Sequence, residues 1–458
     1  MEAPQALDAS QVVYPFEQKC PFEPPEELTR RRGHAPVSQV RLANGATVWL
    51  VTRYDDVRTV LTDPRFSRRQ VREGAIQGGP PPRPTSQNGS RKPQGRPPGG
   101  RFDFGMSLAD PETHAVWRRT LAEVLTPKHA ESLRERVGRA VEETLDEMAT
   151  EAATPPSAEA SNGPRPVDLV SAFAYQVPVR VLCELFDLPE ELRPAFRAWA
   201  ARIREAAPST AAFGEAMGSL FGCARKLVEK ERTHPGDGLV GLLLARSGTR
   251  SGTRSGTRSG TRSGTQSGNA PDEPADEPTD AELLTTVMLL ATAGYESTAV
   301  QFANGLLALF QHPAELARLR DGSVSAAAAV EEILRYAQAG TGFAGTTVTT
   351  EDVPLGGVTI PAGATVFISL DSAGRDEAHT DRPDEFDPAQ GAPHHHLTFG
   401  AGSHYCLGSS LARVELQEGF SRLLRRFPGL RPAFDPAAVE FTGNLFHRYP
   451  RALPVVWS

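Results

Sequence analysis

FGAGSHYCLG, residues 399–408, sets one cysteine among Gly400, Gly402 and Gly408, with Phe399 and His404 beside it. Glycine permits backbone conformations that other residues avoid. This spacing therefore lets the chain fold back and aim amide N–H groups at the Cys406 sulfur. The stretch that follows, SSLARVELQEGFSRLLRRF, repeats its apolar residues with helical period. Cys406 thus stands at a helix N-terminus, where the dipole favours a thiolate. Two readings fit this local pattern. One is a Gly-rich turn around a buried thiol. The other is an axial thiolate on haem iron, with amides moderating the sulfur charge and bare backbone leaving room for a flat macrocycle. On the second reading Phe399 covers the sulfur side of the ring and His404 reaches a haem carboxylate.

The rest of the chain bounds the choice. Its 458 residues are 39% hydrophobic and 23% charged, which suits a globular protein with a sizeable core. A net charge of −7 and the lack of a basic block argue against a nucleic-acid binder. No basic segment leads into an apolar stretch at the start, and no apolar run reaches the ~18 residues of a membrane span. Neither a signal peptide nor a membrane anchor is expected, and the expected location is the cytoplasm. Cys20, Cys183, Cys223 and Cys406 lack the paired spacing of a disulfide framework or a zinc site. Cys183 and Cys223 fall in apolar helical patterns and read as inert core thiols.

Residues 38–52 alternate around Asn44-Gly45, a hairpin signal. Residues 54–63 predict a short helix closed by Pro64. Residues 71–101 are rich in Pro, Gly, Arg and Ser and read as a long loop. Residues 110–235 predict mostly helices, the whole of 167–189 included. Residues 246–265 are five copies of RSGT, a period that suits neither a solenoid nor a coiled coil. The segment 246–280 therefore reads as a flexible spacer, with a basic tether for an acidic partner as the alternative. A long apolar helix follows from Asp280, then a helix at AAAAVEEILRYAQ. Short strands with Gly turns are expected between Thr346 and Leu370. The expected fold class is mainly α with small β-sheets, in one domain over 1–458.

FGAGSHYCLG resembles the cysteine-loop signature of cytochrome P450, phenylalanine-glycine-x-glycine-x-histidine-x-cysteine-x-glycine. Further stretches agree with that family in order, and the resemblance runs from about Trp49 to the C-terminus. EEILR resembles the family's glutamate-x-x-arginine pair, Glu332 and Arg335, which the resemblance joins to the later RPDEFDP segment at 382–388. AGYEST, 293–298, resembles the oxygen-activation motif, with Ala293 and Gly294 against the macrocycle and Glu296 as the acid. Ser297 stands where threonine is usual, followed by Thr298. HAVWR places His114 and Arg118 one helical turn apart, the family's spacing for two donors to a haem propionate. In GTTVTTEDV, Thr347 occupies the place of the arginine that usually serves the second propionate, which leaves that group without its expected partner.

The resemblance implies a helix-rich prism holding haem b, with Cys406 as the iron ligand and O2 as co-substrate. It implies electrons from NAD(P)H, delivered by a ferredoxin and a ferredoxin reductase. Arg118, Arg119, Lys128 and Arg413 are candidates for docking an acidic ferredoxin. The implied activity is monooxygenation of a small organic molecule in secondary metabolism. Proton delivery would run through Glu296, Ser297 and Thr298. Two alternatives stand beside it: oxidative coupling or ring closure of an aromatic or peptide-derived product, and a haem-fold recruitment module without turnover. The pocket is expected from 71–104, 190–220, 289–298, 340–345 and the segment TGNLFHRYP. Phe102, Phe104, Met106, Phe343 and Phe446 would give it an aromatic-tolerant lining.

Overall fold

The computed structural model describes residues 13–16, 22–68, 111–153, 165–205, 210–252, 279–340, 345–390, 396–443 and 447–457. A six-stranded sheet runs in the order β1 (Val13–Tyr14), β2 (Val37–Leu42), β3 (Thr47–Val51), β9 (Thr365–Ile368), β6 (Thr347–Thr349), β4 (Phe66–Ser67). The expected hairpin is β2–β3, antiparallel, with Gln39 facing Trp49 and Gly45 at φ +85° in its turn. Hairpin β7 (Val353–Leu355) with β8 (Val358–Ile360) fills the expected strand region between β6 and β9. Small pairings complete the strand set. β5 (Val167–Asp168) and β10 (Arg431–Pro432) flank β13 (Pro454–Val456), while β11 (Phe441–Gly443) pairs with β12 (Arg448–Pro450).

The helices are α1 (Glu26–His34), α2 (Tyr54–Thr62), α3 (Pro111–Ala122), α4 (Pro127–Ser132), α5 (Arg134–Ala153), α6 (Gln176–Leu185), α7 (Arg193–Glu205) and α8 (Ala211–Thr233). They continue with α9 (Leu239–Gly252), α10 (Asp280–Gln311), α11 (Pro313–Arg320), α12 (Ala326–Tyr336) and α13 (Ser409–Arg426). Helix α10 starts at a capping box, in which Thr279 Oγ1 accepts from the Glu282 amide and the Glu282 carboxylate accepts from the Thr279 amide. Its two halves differ. Residues 281–297 mix buried and accessible positions, whereas every residue from Thr298 to Phe310 is buried. Phe302 stacks edge-on against Phe173 and Phe420, tying α10 to α13 and to the turn before α6.

Two expectations need correction. Residues 167–189 are not one helix. Val167 and Asp168 pair with β13, and a π-helical turn at Val170–Ala174 precedes α6. The Asp168 carboxylate accepts from the amides of Val170, Ser171 and Leu453, which fixes the strand end and diverts the chain. The RSGT segment is not loop throughout, because α9 carries helix through its first copy to Gly252. Residues 253–278 and 69–110, which include the whole Pro/Gly-rich stretch at 71–101, lie outside the described residues.

Candidate functional site

The 399–408 segment is a closed loop. The Cys406 amide donates to Phe399 O at 2.9 Å, and the Tyr405 amide to Gly402 O at 3.1 Å. Gly400 and Gly402 take φ of +74° and +67°. A Cβ on Gly402 would lie 2.8 Å from Leu61 O, so only glycine lets the loop close onto the end of α2. Helix α13 begins directly behind the sulfur, as the sequence implied, with Gly408 at its N-cap. Surrounding protein pushes the Cys406 thiol above its ordinary pKa. The amides of Gly408 and Ser409, which point at the sulfur, and the charges of Arg118 and Arg413 oppose that push. A thiol in this balance ionises once a metal cation supplies the missing positive charge. Cys406 is exposed, and so is Tyr405 beside it. An accessible sulfur with two amide donors and two nearby guanidinium groups fits an axial haem ligand. An inert thiol is what Cys183 shows instead: buried, free and pushed up to about 12 by that burial.

Helix α12 carries two ion-pair systems, one of which reaches the loop. Arg413 grips both Glu331 oxygens at 2.6 and 3.0 Å, and His396 Nε2 meets the same carboxylate at 3.2 Å. The Arg413 guanidinium also lies 4.6 Å over the Phe399 ring. It is thus a buttress of the loop and not a free docking cation. The second system is the expected pair. Arg335 binds Glu332 at 2.7 and 2.8 Å and donates to the carbonyls of Gly374, Pro383 and Glu385. Glu332 in turn accepts from the Asp387 amide, so the 382–388 segment joins through its backbone. The Arg382 side chain turns outward to Glu385 and Asp387. Arg375, which sequence reasoning missed, is another buried cation beside this network. It stacks 4.0 Å over Tyr336 and donates to Phe22 O and Pro383 O.

On α10, Ala293 is exposed although its helix crosses the interior. Gly294 points its missing Cβ at Leu182 of α6, 3.3 Å away, so it serves helix packing. The Ser297 hydroxyl donates to Ala293 O at 2.8 Å, on the same open face. Thr298 turns into the core at 8% exposure and does not join them. Glu296 stands between that face and a cavity behind it, with His447 Nδ1 3.7 Å from its carboxylate. Arg118 on α3 is half-buried, its pKa pulled down by burial and lifted by the Cys406 sulfur. His114 shares α3 with Arg118, but its side chain lies outside the described residues. His404 ends the single turn Gly402–His404 inside the loop.

The cavity measures about 470 Å³ and lies between α7, α8 and α10. Trp199, Phe213, Met217, Met288, Thr292 and Tyr295 line it, with Arg204 and Glu296 as its charged groups. Its walls fall in the expected 190–220 and 289–298 ranges. Met288 and Tyr175 lie beyond them, and no local pattern marks either residue. Trp199 is fully buried and its Nε1 has no hydrogen-bond partner among the described residues, which leaves one donor for a ligand. The expected Phe102, Phe104, Met106, Phe343 and Phe446 lie outside the described residues.

A family model for cytochrome P450 matches residues 96–429. Mycinamicin IV hydroxylase/epoxidase from Micromonospora griseorubida is 34% identical over 423 residues, 92% of either chain. Nocardicin C N-oxygenase from Nocardia uniformis subsp. tsuyamanensis is 34% identical over 453 residues, 95% of this chain and 98% of that one. Among solved structures, a mutant of the mixed-function P450 MycG bound to mycinamicin V superposes with a TM-score of 0.78 at 33% identity, covering 97% of this chain and 100% of the other. CYP105P1 in complex with filipin I gives 0.75 at 31%, covering 98% and 99%.

Proposed function

The chain belongs to the cytochrome P450 family, and from that premise we propose that Cys406 ligates the haem iron of a monooxygenase whose substrate occupies the cavity behind Glu296. The family is haem-dependent and uses O2, and this member is an oxidoreductase acting on a small organic substrate. When bound, the haem supplies a thiolate-ligated metal at which O2 is activated.

The chain's own residues hold, orient and supply protons. Gly408 and Ser409 direct amides at the Cys406 sulfur and spread its charge. Phe399, fixed by Arg413, shields the sulfur side. Arg118, with His114 on the same helix and His404 in the loop, neutralises haem carboxylates. Ala293 presents a small side chain to the ring, and Gly294 draws α10 close to α6. Ser297 keeps lone pairs free to accept a proton-bearing water, and Glu296 is the acid beside it. The apolar cavity takes the substrate's body, and Trp199 Nε1 donates to a substrate oxygen.

Electrons come from NAD(P)H through a ferredoxin and its reductase. Arg119 and Lys128 are the exposed cations of the expected docking set, and Lys128 lies on α4, which packs on α13. The protein works in the cytoplasm, in secondary metabolism. One observation carries the reading: an accessible sulfur that receives two amide donors inside a loop closed by its own residues. Reduction under carbon monoxide tests it. The wild type is expected to give the red-shifted Soret band of thiolate ligation, and Cys406→Ser to lose it. A wild-type spectrum without that band overturns the reading.

A further inference from the structure

Thr347 stands where the family resemblance places an arginine, and the structure surrounds that substitution with three observations. Thr347 is buried at 2% exposure, and its Oγ1 has no hydrogen-bond partner among the described residues. Strand β4 pairs antiparallel with β6, with Phe66 opposite Thr349 and Ser67 opposite Val348. Strand β4 ends at Ser67, and Arg68 follows it directly, one residue beyond the last pair and at the end of β6 where Thr347 lies. Finally, the cysteine loop seats Gly402 on Leu61 and Thr62, only a few residues before Arg68. The 66–68 segment is thereby held near the cysteine loop.

We infer that Arg68 supplies, from just past the end of the facing strand, the guanidinium that Thr347 lacks, and that it binds the second haem propionate. Arg68 has neither a hydrogen-bond acceptor nor an acid as partner among the described residues. Burial pulls its pKa down to about 10, with no counter-charge among the described residues to restore it. A covered guanidinium without an anion is unfavourable, and a carboxylate arriving with the cofactor removes that penalty. The long arginine side chain spans the offset between neighbouring strands. One charge is thus kept at one place while its position in the sequence changes. The inference rests on the haem reading above, and it assigns a cofactor contact to a residue outside every recognised motif.

Haem transfer to excess apomyoglobin tests it, following wild type, Arg68→Ala, Arg68→Lys and the double variant Arg68→Ala/Thr347→Arg. Loss of one charge-assisted contact is expected to speed haem release from Arg68→Ala about tenfold. Arg68→Lys is expected to fall between, and the double variant to return toward wild type. Equal rates for wild type and Arg68→Ala overturn the inference. Faster release that persists in the double variant also overturns it, since Arg68 then acts only on the fold. Far-ultraviolet circular dichroism of each apo form separates unfolding from cofactor loss. The thiolate-type Soret band in wild type reports independently on the haem reading.

Discussion

Arg413 holds Glu331 in a two-pronged pair, 2.6 and 3.0 Å, across 82 residues of sequence. The pair holds the Arg413 guanidinium in place over the Phe399 ring, 4.6 Å from its centre. Burial raises the Glu331 carboxyl, but the hydrogen bonds from His396 and Arg413 outweigh it and hold the group at about 2, below its ordinary 4.5. A carboxyl depressed on folding stabilises the protein above its unfolded pKa and loses that contribution as pH falls through the folded value. The affected window is therefore from about pH 4.5 down to 2. Glu331→Gln is expected to cost about 3 kcal/mol at neutral pH and to flatten stability across that window. Urea denaturation of both proteins at several pH values measures it; parallel pH profiles would refute the assignment.

Arg335 donates to Glu332 and to three backbone carbonyls in a nearly dry setting. Arg335→Ala leaves that carboxylate buried without its cation, at a cost of about 3–5 kcal/mol. The expected result is a protein that is recovered poorly and binds no haem. Arg382→Ala removes only the exposed pairs with Glu385 and Asp387 and is expected to change stability by under about 1 kcal/mol. Thermal melts of the two variants provide the comparison.

Gly402 and Gly357 share positive φ, yet differ in surroundings. A Cβ at Gly402 meets Leu61 O at 2.8 Å, while one at Gly357 meets nothing within 4 Å. Gly357→Ala therefore carries only backbone strain, about 1 kcal/mol. Gly402→Ala must also displace the loop from α2. It is expected to lose the thiolate-type carbon monoxide spectrum, which Gly357→Ala keeps.

Filling the cavity separates substrate binding from cofactor binding. Thr292 lines it at the turn between Met288 and Glu296, and its hydroxyl already donates to Met288 O. Thr292→Phe is expected to weaken the spectral shift produced by apolar ligands more than tenfold. Haem content should stay at the wild-type level. Unchanged ligand affinity would move the substrate elsewhere.

The sequence was most legible where chemistry is local. The glycine spacing around Cys406, the Glu332–Arg335 helix pair and the Asn44-Gly45 hairpin each announce themselves within a few residues. What it concealed was built by contacts between distant segments. Arg375 reaches Phe22 O across 353 residues, and no pattern near either one marks the pairing. Glu331 lies beside Glu332 in EEILR, yet the two turn to different partners. Only the packing of α12 on α13 brings Arg413 to Glu331. The short strand at Val167 was masked by helical periodicity because two residues cannot show a period. A glycine inside a helix marks Gly294 as a position of close approach, and the close neighbour there is Leu182.

Helix α10 is anchored at one end and bordered by open space along the other. From Thr298 to Phe310 every residue is enclosed, whereas the preceding turns border the cavity. Its amide hydrogens should therefore exchange with solvent deuterium at two separate rates, the distal segment only through global opening and the proximal turns through local fraying. A molecule entering the cavity then slows exchange in the proximal turns alone, so isotope uptake along one helix reports occupancy without any chromophore.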